Sequence, residues 1–317
     1  MKTAFHSHWR ASLQEFLDFK RLGYSYQTQE AVLRSFDHFA GQHPRMPLPD
    51  LVRQWLARIP DRQPATVERE LLVVRQFCLF RRRFDSRSFV PDRIRLAPSA
   101  LPRFRPYPLS TAQIKMLLQG TSRSLRRSPV FRARIRTLLL VLYCTGLRIG
   151  EAVHLHLADV DLKRAYFRVG PSKGRIRLVP FGRDLAAELN RWLALRRRNG
   201  FVLTPQTTLF EREDGKADRP HNAARRLTVL FRRCGLKPKR GRQGPRIHDV
   251  RHAFCVHRLQ RWYRAGLDPG PLLPWLSAYL GHVDLLGTEK YLHATPALLA
   301  AASKRFLRSL KFDPAHP

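Results

Sequence analysis

The chain has 317 residues, 44% hydrophobic and 26% charged, ordinary values for a folded protein with room for two domains. Its 59 Lys and Arg against 24 Asp and Glu leave a net charge of +35, an excess whose self-repulsion a compact fold tolerates best beside a polyanion, and nucleic acid is the obvious one. A membrane is the weaker partner, because the longest apolar run, 137–146, is far short of the ~20 residues of a spanning helix and residues 1–8 lack the apolar stretch of a signal peptide.

Residues 9–85 read as helical throughout. Trp9, Leu13, Phe16, Leu17 and Leu22 recur at helical spacing until Gly23, and a second stretch from Tyr26 carries Ala31, Val32, Phe36 and Phe39. A third spans 51–59, with Val52, Trp55 and Leu56 on one side. A fourth follows Pro64, with Thr66 as its cap, and carries Val67, Leu71, Val74, Phe77 and Cys78 before Arg81, Arg82 and Arg83. Residues 1–90 are therefore expected to form a small bundle of amphipathic helices, in which nothing suggests chemistry. Across 91–109, Pro91, Pro98, Pro102, Pro106 and Pro108 rule out a helix, and Arg93, Arg95, Arg103 and Arg105 lie among them. This is a basic extended linker, readable equally as a spacer or as a strap around a duplex.

A second domain is expected over 110–317. Ser110 with Gln113 fits a capping box; Ser128-Pro129 opens a helix that Gly146 stops. Over 165–180 the pattern changes to period two around a turn rich in Gly and Pro, a hairpin. Helical patterns resume at 184–198, 222–233, 249–264, 272–280 and 296–310. Cys78, Cys144, Cys234 and Cys255 are scattered without a Cys-x-x-Cys pair, and read as the reduced thiols of a cytosolic protein.

Four short motifs carry chemistry. In Thr145-Gly146-Leu147-Arg148-Ile149-Gly150-Glu151, Arg148 lies just past a glycine stop, where its fork can meet a phosphate, although a solvent arginine near a helix end looks the same. Glu151 either orients Arg148 or caps a helix. Lys173, between Ser172 and Gly174 at the hairpin tip, is by itself simply an exposed lysine. In His248-Asp249-Val250-Arg251-His252 the three-residue spacing places His248 and Arg251 on one helix face. The same segment spaces His248 and His252 like zinc ligands, but the Glu of His-Glu-x-x-His is missing and no cysteine pair supplies further ligands. Last comes Leu280-Gly281-His282, with Tyr291 nine residues on. A lone tyrosine between helices is usually a packing residue.

Taken in order, Arg148, Lys173 in a hairpin, His248-x-x-Arg251, Leu280-Gly281-His282 and Tyr291 resemble the tyrosine recombinases of the phage integrase family. The resemblance covers 110–310, and the helical first domain and basic linker match as well. Val250 departs from the usual Leu, and 283–290 is less rich in Ser and Thr than in many members. The run Tyr291-Leu292-His293-Ala294-Thr295-Pro296 looks more like integrases of mobile elements than like chromosome-dimer resolvases.

The resemblance implies a mainly α fold with a small β-sheet: a SAM-like core-binding bundle and an α+β catalytic domain, closing as a C-clamp around DNA. It implies cleavage and rejoining of double-stranded DNA at a specific site, with Tyr291 as nucleophile. Arg148 and Arg251 would neutralise the phosphate, Lys173 protonate the leaving oxygen, His248 serve as acid or base at the tyrosine, and His282 bind a nonbridging oxygen. No cofactor, metal or ATP is implied, since guanidinium groups do the work of a metal. The resemblance further implies a homotetramer on two DNA sites, each protomer lending 296–317 to a neighbour, in some members with sister recombinases, and a cytoplasmic, nucleoid-associated protein. Two rivals remain, a type IB topoisomerase and a catalytically silent DNA-binding protein; a zinc nuclease, the third class, fails for want of ligands.

Overall fold

The computed structural model describes residues 5–23, 26–93, 107, 109–123, 128–170, 176–241, 243–282 and 303. The chain divides into two compact units, Met1–Arg103 and Phe104–Pro317. In the first, α1 (Arg10–Arg21), α2 (Gln27–Gln42), α3 (Leu48–Ala57) and α4 (Pro64–Arg82) turn their apolar stripes to one core. Leu13, Phe16 and Leu17 enter it from α1, Leu33 and Phe36 from α2, Leu51, Val52 and Trp55 from α3, and Leu71, Val74, Phe77 and Cys78 from α4. Burying each large side chain contributes about 1.5–3 kcal/mol. Burial also pushes the Cys78 thiol up to about 12, so it packs as a small apolar group.

Helix starts differ from the sequence pattern in one consistent way. Gln63, not Thr66, caps α4, and α3 begins three residues before Leu51. In the second unit, the helices expected from 222 and 272 begin at Pro220 and Pro269. Each true start has a proline in its first or second position. A proline there gives up no hydrogen bond and already holds a helical φ, so it outcompetes a polar cap further in.

The second unit is built on α6 (Pro129–Thr145), which touches α5 (Thr111–Arg123), α7 (Ile149–Val153), α8 (Arg183–Arg198), α9 (Pro220–Arg233) and α10 (His248–Arg264). The apolar run at 137–146 is thus a core helix wrapped on several sides, and Leu138, Leu139, Val141 and Leu142 are all buried. Among the described residues no helix is long and apolar enough to cross a membrane. The expected capping box forms: the Ser110 N–H donates to Gln113 Oε1 at 2.9 Å and the Gln113 N–H to Ser110 Oγ at 3.2 Å.

Among the described residues the sheet has three antiparallel strands, β1 (Val160–Asp161), β2 (Tyr166–Val169) and β3 (Arg177–Pro180), in that order. The expected hairpin is β2–β3, with Val169 opposite Arg177; the two-residue β1 was too short to show a period. Helix α11 (Pro269–Leu280) packs against α10 and β3, and the helix expected over 296–310 falls almost wholly outside the described residues. The fold is therefore mainly α with a small sheet, as the sequence pattern predicts.

One internal cation illustrates how arginine is used here. Arg196 on α8 is fully buried and donates to the Thr208 carbonyl at 3.1 Å, to the Leu209 carbonyl at 3.3 Å and to Glu211 Oε2 at 2.8 Å. It staples the 201–211 loop to the helix rather than facing solvent.

Candidate active site

The site assembles where α6, α7, β3, α10 and α11 end or begin. Gly146 closes α6 in the left-handed region, φ 63°, which a side chain enters only at a cost of about 1–2 kcal/mol. A Cβ there would also sit 2.6 Å from Phe254 Cδ1 and 3.0 Å from Leu280 Cδ2. Gly200 has the same backbone hand, φ 79°, and open space around it. Gly146→Ala is therefore expected to destabilise the chain by about 2–5 kcal/mol, strain plus overpacking, and Gly200→Ala by strain alone. Parallel thermal unfolding of the two full-length variants checks this; equal shifts would refute it.

Past Gly146 the chain turns at Arg148, whose extended backbone precedes α7. Glu151 takes both of the parts left open by the sequence. Its Oε2 accepts the Arg148 N–H at 2.9 Å, capping α7, and its Oε1 accepts from Arg148 Nη1 at 2.9 Å, orienting the fork. Arg177, on β3, grips the same carboxylate from the other side, Nη1 to Oε1 at 3.2 Å and Nη2 to Oε2 at 2.9 Å. Burial pushes the Glu151 carboxyl up, but the hydrogen bond from Arg177, the Arg148 N–H and the two guanidinium charges outweigh it and hold the carboxyl below its ordinary value.

The C-terminus of α11 collects the arginines. Its last carbonyls lack helical partners, and three guanidinium groups fill the places: Arg177 Nε donates to Tyr279 O at 3.0 Å, Arg251 Nη2 to Leu280 O at 2.7 Å, and Arg148 Nη2 to Gly281 O at 3.3 Å. Cations at a helix C-terminus also meet the negative end of its dipole. Arg251, 2% exposed, further donates from Nη1 to Gly146 O at 2.7 Å, joining the end of α6 to that of α11. Gly281, φ 66°, lies so close beneath Arg177 that a Cβ would stand 2.7 Å from Nη1.

His282 follows directly. Its Nε2 lies 3.0 Å from Arg251 Nη2, and since a guanidinium only donates, Nε2 is the acceptor and a neutral ring carries its proton on Nδ1. His248 stands exposed at the start of α10, its ring edge-on to that of His252 at 4.7 Å between centroids. Asp249, buried next to it, accepts the Arg246 N–H at 2.6 Å and the Tyr107 N–H at 3.4 Å, and burial raises its carboxyl above the ordinary value despite them.

The structure thus brings Arg148, Arg251 and His282 to one helix end, with His248 at the head of the helix that carries Arg251. Lys173 and Tyr291 lie outside the described residues. Arg177 was missed because in the sequence it is one polar position of a short strand, and its partners lie 26 and 102 residues away. Among the described residues, no three His, Cys, Asp or Glu side chains are grouped to hold a metal ion.

Comparison with known proteins agrees along most of the chain. The profile of the phage integrase family matches residues 109–297. A Sinorhizobium fredii protein, named as the integrase/recombinase y4rB, is 34% identical over 309 residues, 95% of this chain and 98% of that one. The tyrosine recombinase XerC of Erythrobacter litoralis is 29% identical over 246 residues, 76% of this chain and 72% of that one. Among solved structures, the XerH site-specific recombinase bound to a palindromic difH substrate, in a post-cleavage complex, shares the fold with a TM-score of 0.63 at 17% identity, covering 95% of this chain and 90% of that one. The chain belongs to the phage integrase family, and is a tyrosine site-specific recombinase.

Proposed function

We propose that the chain cuts and rejoins double-stranded DNA at a specific site through a 3′-phosphotyrosine on Tyr291, without metal or ATP. The observation that supports it best is the convergence of Arg148, Arg251 and His282 on the C-terminus of α11. Two planar forks and an imidazole meet there, the donor set that suits the nonbridging oxygens of a phosphodiester. Arg148, with its side chain about one-third exposed, remains open to a ligand.

In this mechanism Tyr291 Oη bonds to phosphorus as the bond to the 5′ oxygen breaks. The phenol proton passes to His248, and Lys173 protonates the departing 5′ oxygen. Arg148 and Arg251 offset the charge that builds on the nonbridging oxygens, and His282 donates to one of them. The new phosphodiester keeps the energy of the old one, so the 5′ hydroxyl can attack it and reseal the strand.

Residues 1–90 serve as the core DNA-binding domain, 91–109 as the linker and 110–317 as the catalytic domain with its tail. The protein works as a homotetramer on two DNA sites in the nucleoid, with 296–317 exchanged between protomers, alone or beside sister recombinases. The XerH neighbour, whose structure holds cleaved difH DNA, supports the DNA partner.

The test is to trap the intermediate. Full-length protein is mixed with nicked duplexes tiled from the DNA flanking its own gene, with and without a chelator, and quenched in detergent. The expected product is a chelator-insensitive adduct on a 3′ phosphate, mapped by digestion to the peptide holding Tyr291. An adduct on a 5′ phosphate or on another residue, or one lost with the chelator, would overturn the reading.

A further inference from the structure

We infer that Arg177 is a positioning residue for strand cleavage: it offsets the charge of Glu151, so that Arg148 keeps its own charge for the phosphate. The inference rests on the reading of Arg148 given above. Glu151 is 4% exposed at its side chain and lies between two guanidinium groups, so the trio carries a net +1. Without Arg177, one carboxylate would face one arginine across 2.9 Å, and the pair would be neutral. A neutral pair attracts a phosphate far less than a cation does, and the bare carboxylate would draw the Arg148 fork toward itself.

The placement of Arg177 suits this role and adds another. With its side chain 13% exposed, it makes three hydrogen bonds to two different elements. It is also the first residue of β3, paired with Val169 of β2, and so stands beside the segment 170–176 to which Lys173 belongs. One side chain therefore joins the root of the lysine hairpin, the carboxylate that aims Arg148 and the helix end that leads to His282. Gly281 leaves just enough room for it, since any Cβ there would strike the guanidinium.

The experiment compares single-turnover cleavage by saturating full-length Arg177→Gln, Arg177→Lys, Arg148→Ala and the double variant Glu151→Gln/Arg177→Gln. The probe is a nicked duplex that the unaltered chain cleaves, made either with an ordinary scissile phosphate or with a methylphosphonate, which carries no charge. Arg177→Gln is expected to slow cleavage of the ordinary duplex by about 10–100-fold, the usual range for a residue acting through another. DNA affinity should stay within about twofold of normal, which separates the cleavage step from binding. On the methylphosphonate the defect should shrink markedly, because the charge of the intact phosphate is gone and only the smaller charge that builds on one nonbridging oxygen is left for Arg148 to neutralise. Lysine at 177 should recover part of the rate, and so should the double variant, in which the unbalanced carboxylate is gone.

Equal losses on both duplexes would mean that Arg177 merely holds the fold, and would overturn the inference. So would an Arg177→Gln chain that cuts at the normal rate while Arg148→Ala does not. If Arg148→Ala itself lost no more on the ordinary duplex than on the methylphosphonate, the reading of Arg148 would fall, and this inference with it.

Discussion

Tyr291→Phe is expected to bind its DNA with unchanged affinity and to form no covalent product. The substitution removes one oxygen and keeps the ring, so packing and charge are spared while the nucleophile is lost. Losing a nucleophile removes several orders of magnitude of rate, at least about 10⁴-fold here, beyond the reach of a trapping gel. The measurement is the yield of protein-linked DNA beside a binding curve for the same duplex. An adduct that persists in the variant would transfer the nucleophile's role to another residue. Loss of binding along with cleavage would mean that the tyrosine has a structural part.

Arg251→Ala should fail differently, in chemistry and in folding together. Arg251 joins Gly146 O, Leu280 O and His282 Nε2 from a nearly solvent-free position. Truncation would leave the buried Gly146 and Leu280 carbonyls without this donor, at a cost of roughly 2–5 kcal/mol in all. It would also free the end of α6 from that of α11. Strand cleavage should fall by about 10²–10³-fold, the price of one oxyanion donor, even at a temperature where the variant is folded. Thermal unfolding and single-turnover cleavage, measured on one preparation, separate the two losses. A variant of normal stability would show that the carbonyls find other partners, and one of normal rate would remove Arg251 from the chemistry.

Much of this architecture was legible in the chain. Helical spacing located the four helices described in the first unit, and the glycine stop after α6 was visible at Gly146 because a left-handed helix end favours glycine. The order Arg148, His248, Arg251, Leu280-Gly281-His282 was legible too, since motifs of this kind are contiguous. What stayed hidden depends on distance along the chain. The Glu151–Arg177 contact spans 26 residues and the Arg177–Tyr279 contact 102, and no local period encodes either. The three-residue spacing of His248 and Arg251 suggested one face for both, but not how differently the two are placed. The long arginine reaches inward to two helix ends, while the shorter imidazole stays exposed at the head of α10.

The row of carbonyls capped by guanidinium groups, together with the Arg196 staple, bears on what the charge of +35 is made of. Arginine accounts for 48 of the 59 basic residues. A recoded chain with lysine at every one of those positions would carry the same net charge and the same long-range pull on DNA. An ammonium is a compact, strongly hydrated point charge, however, and cannot span two acceptors with a rigid fork. Such a chain would keep its attraction for a duplex while losing the joints at Arg177, Arg196 and Arg251. Part of the basic excess is therefore internal carpentry, and counting charge alone overstates how much of it faces the nucleic acid.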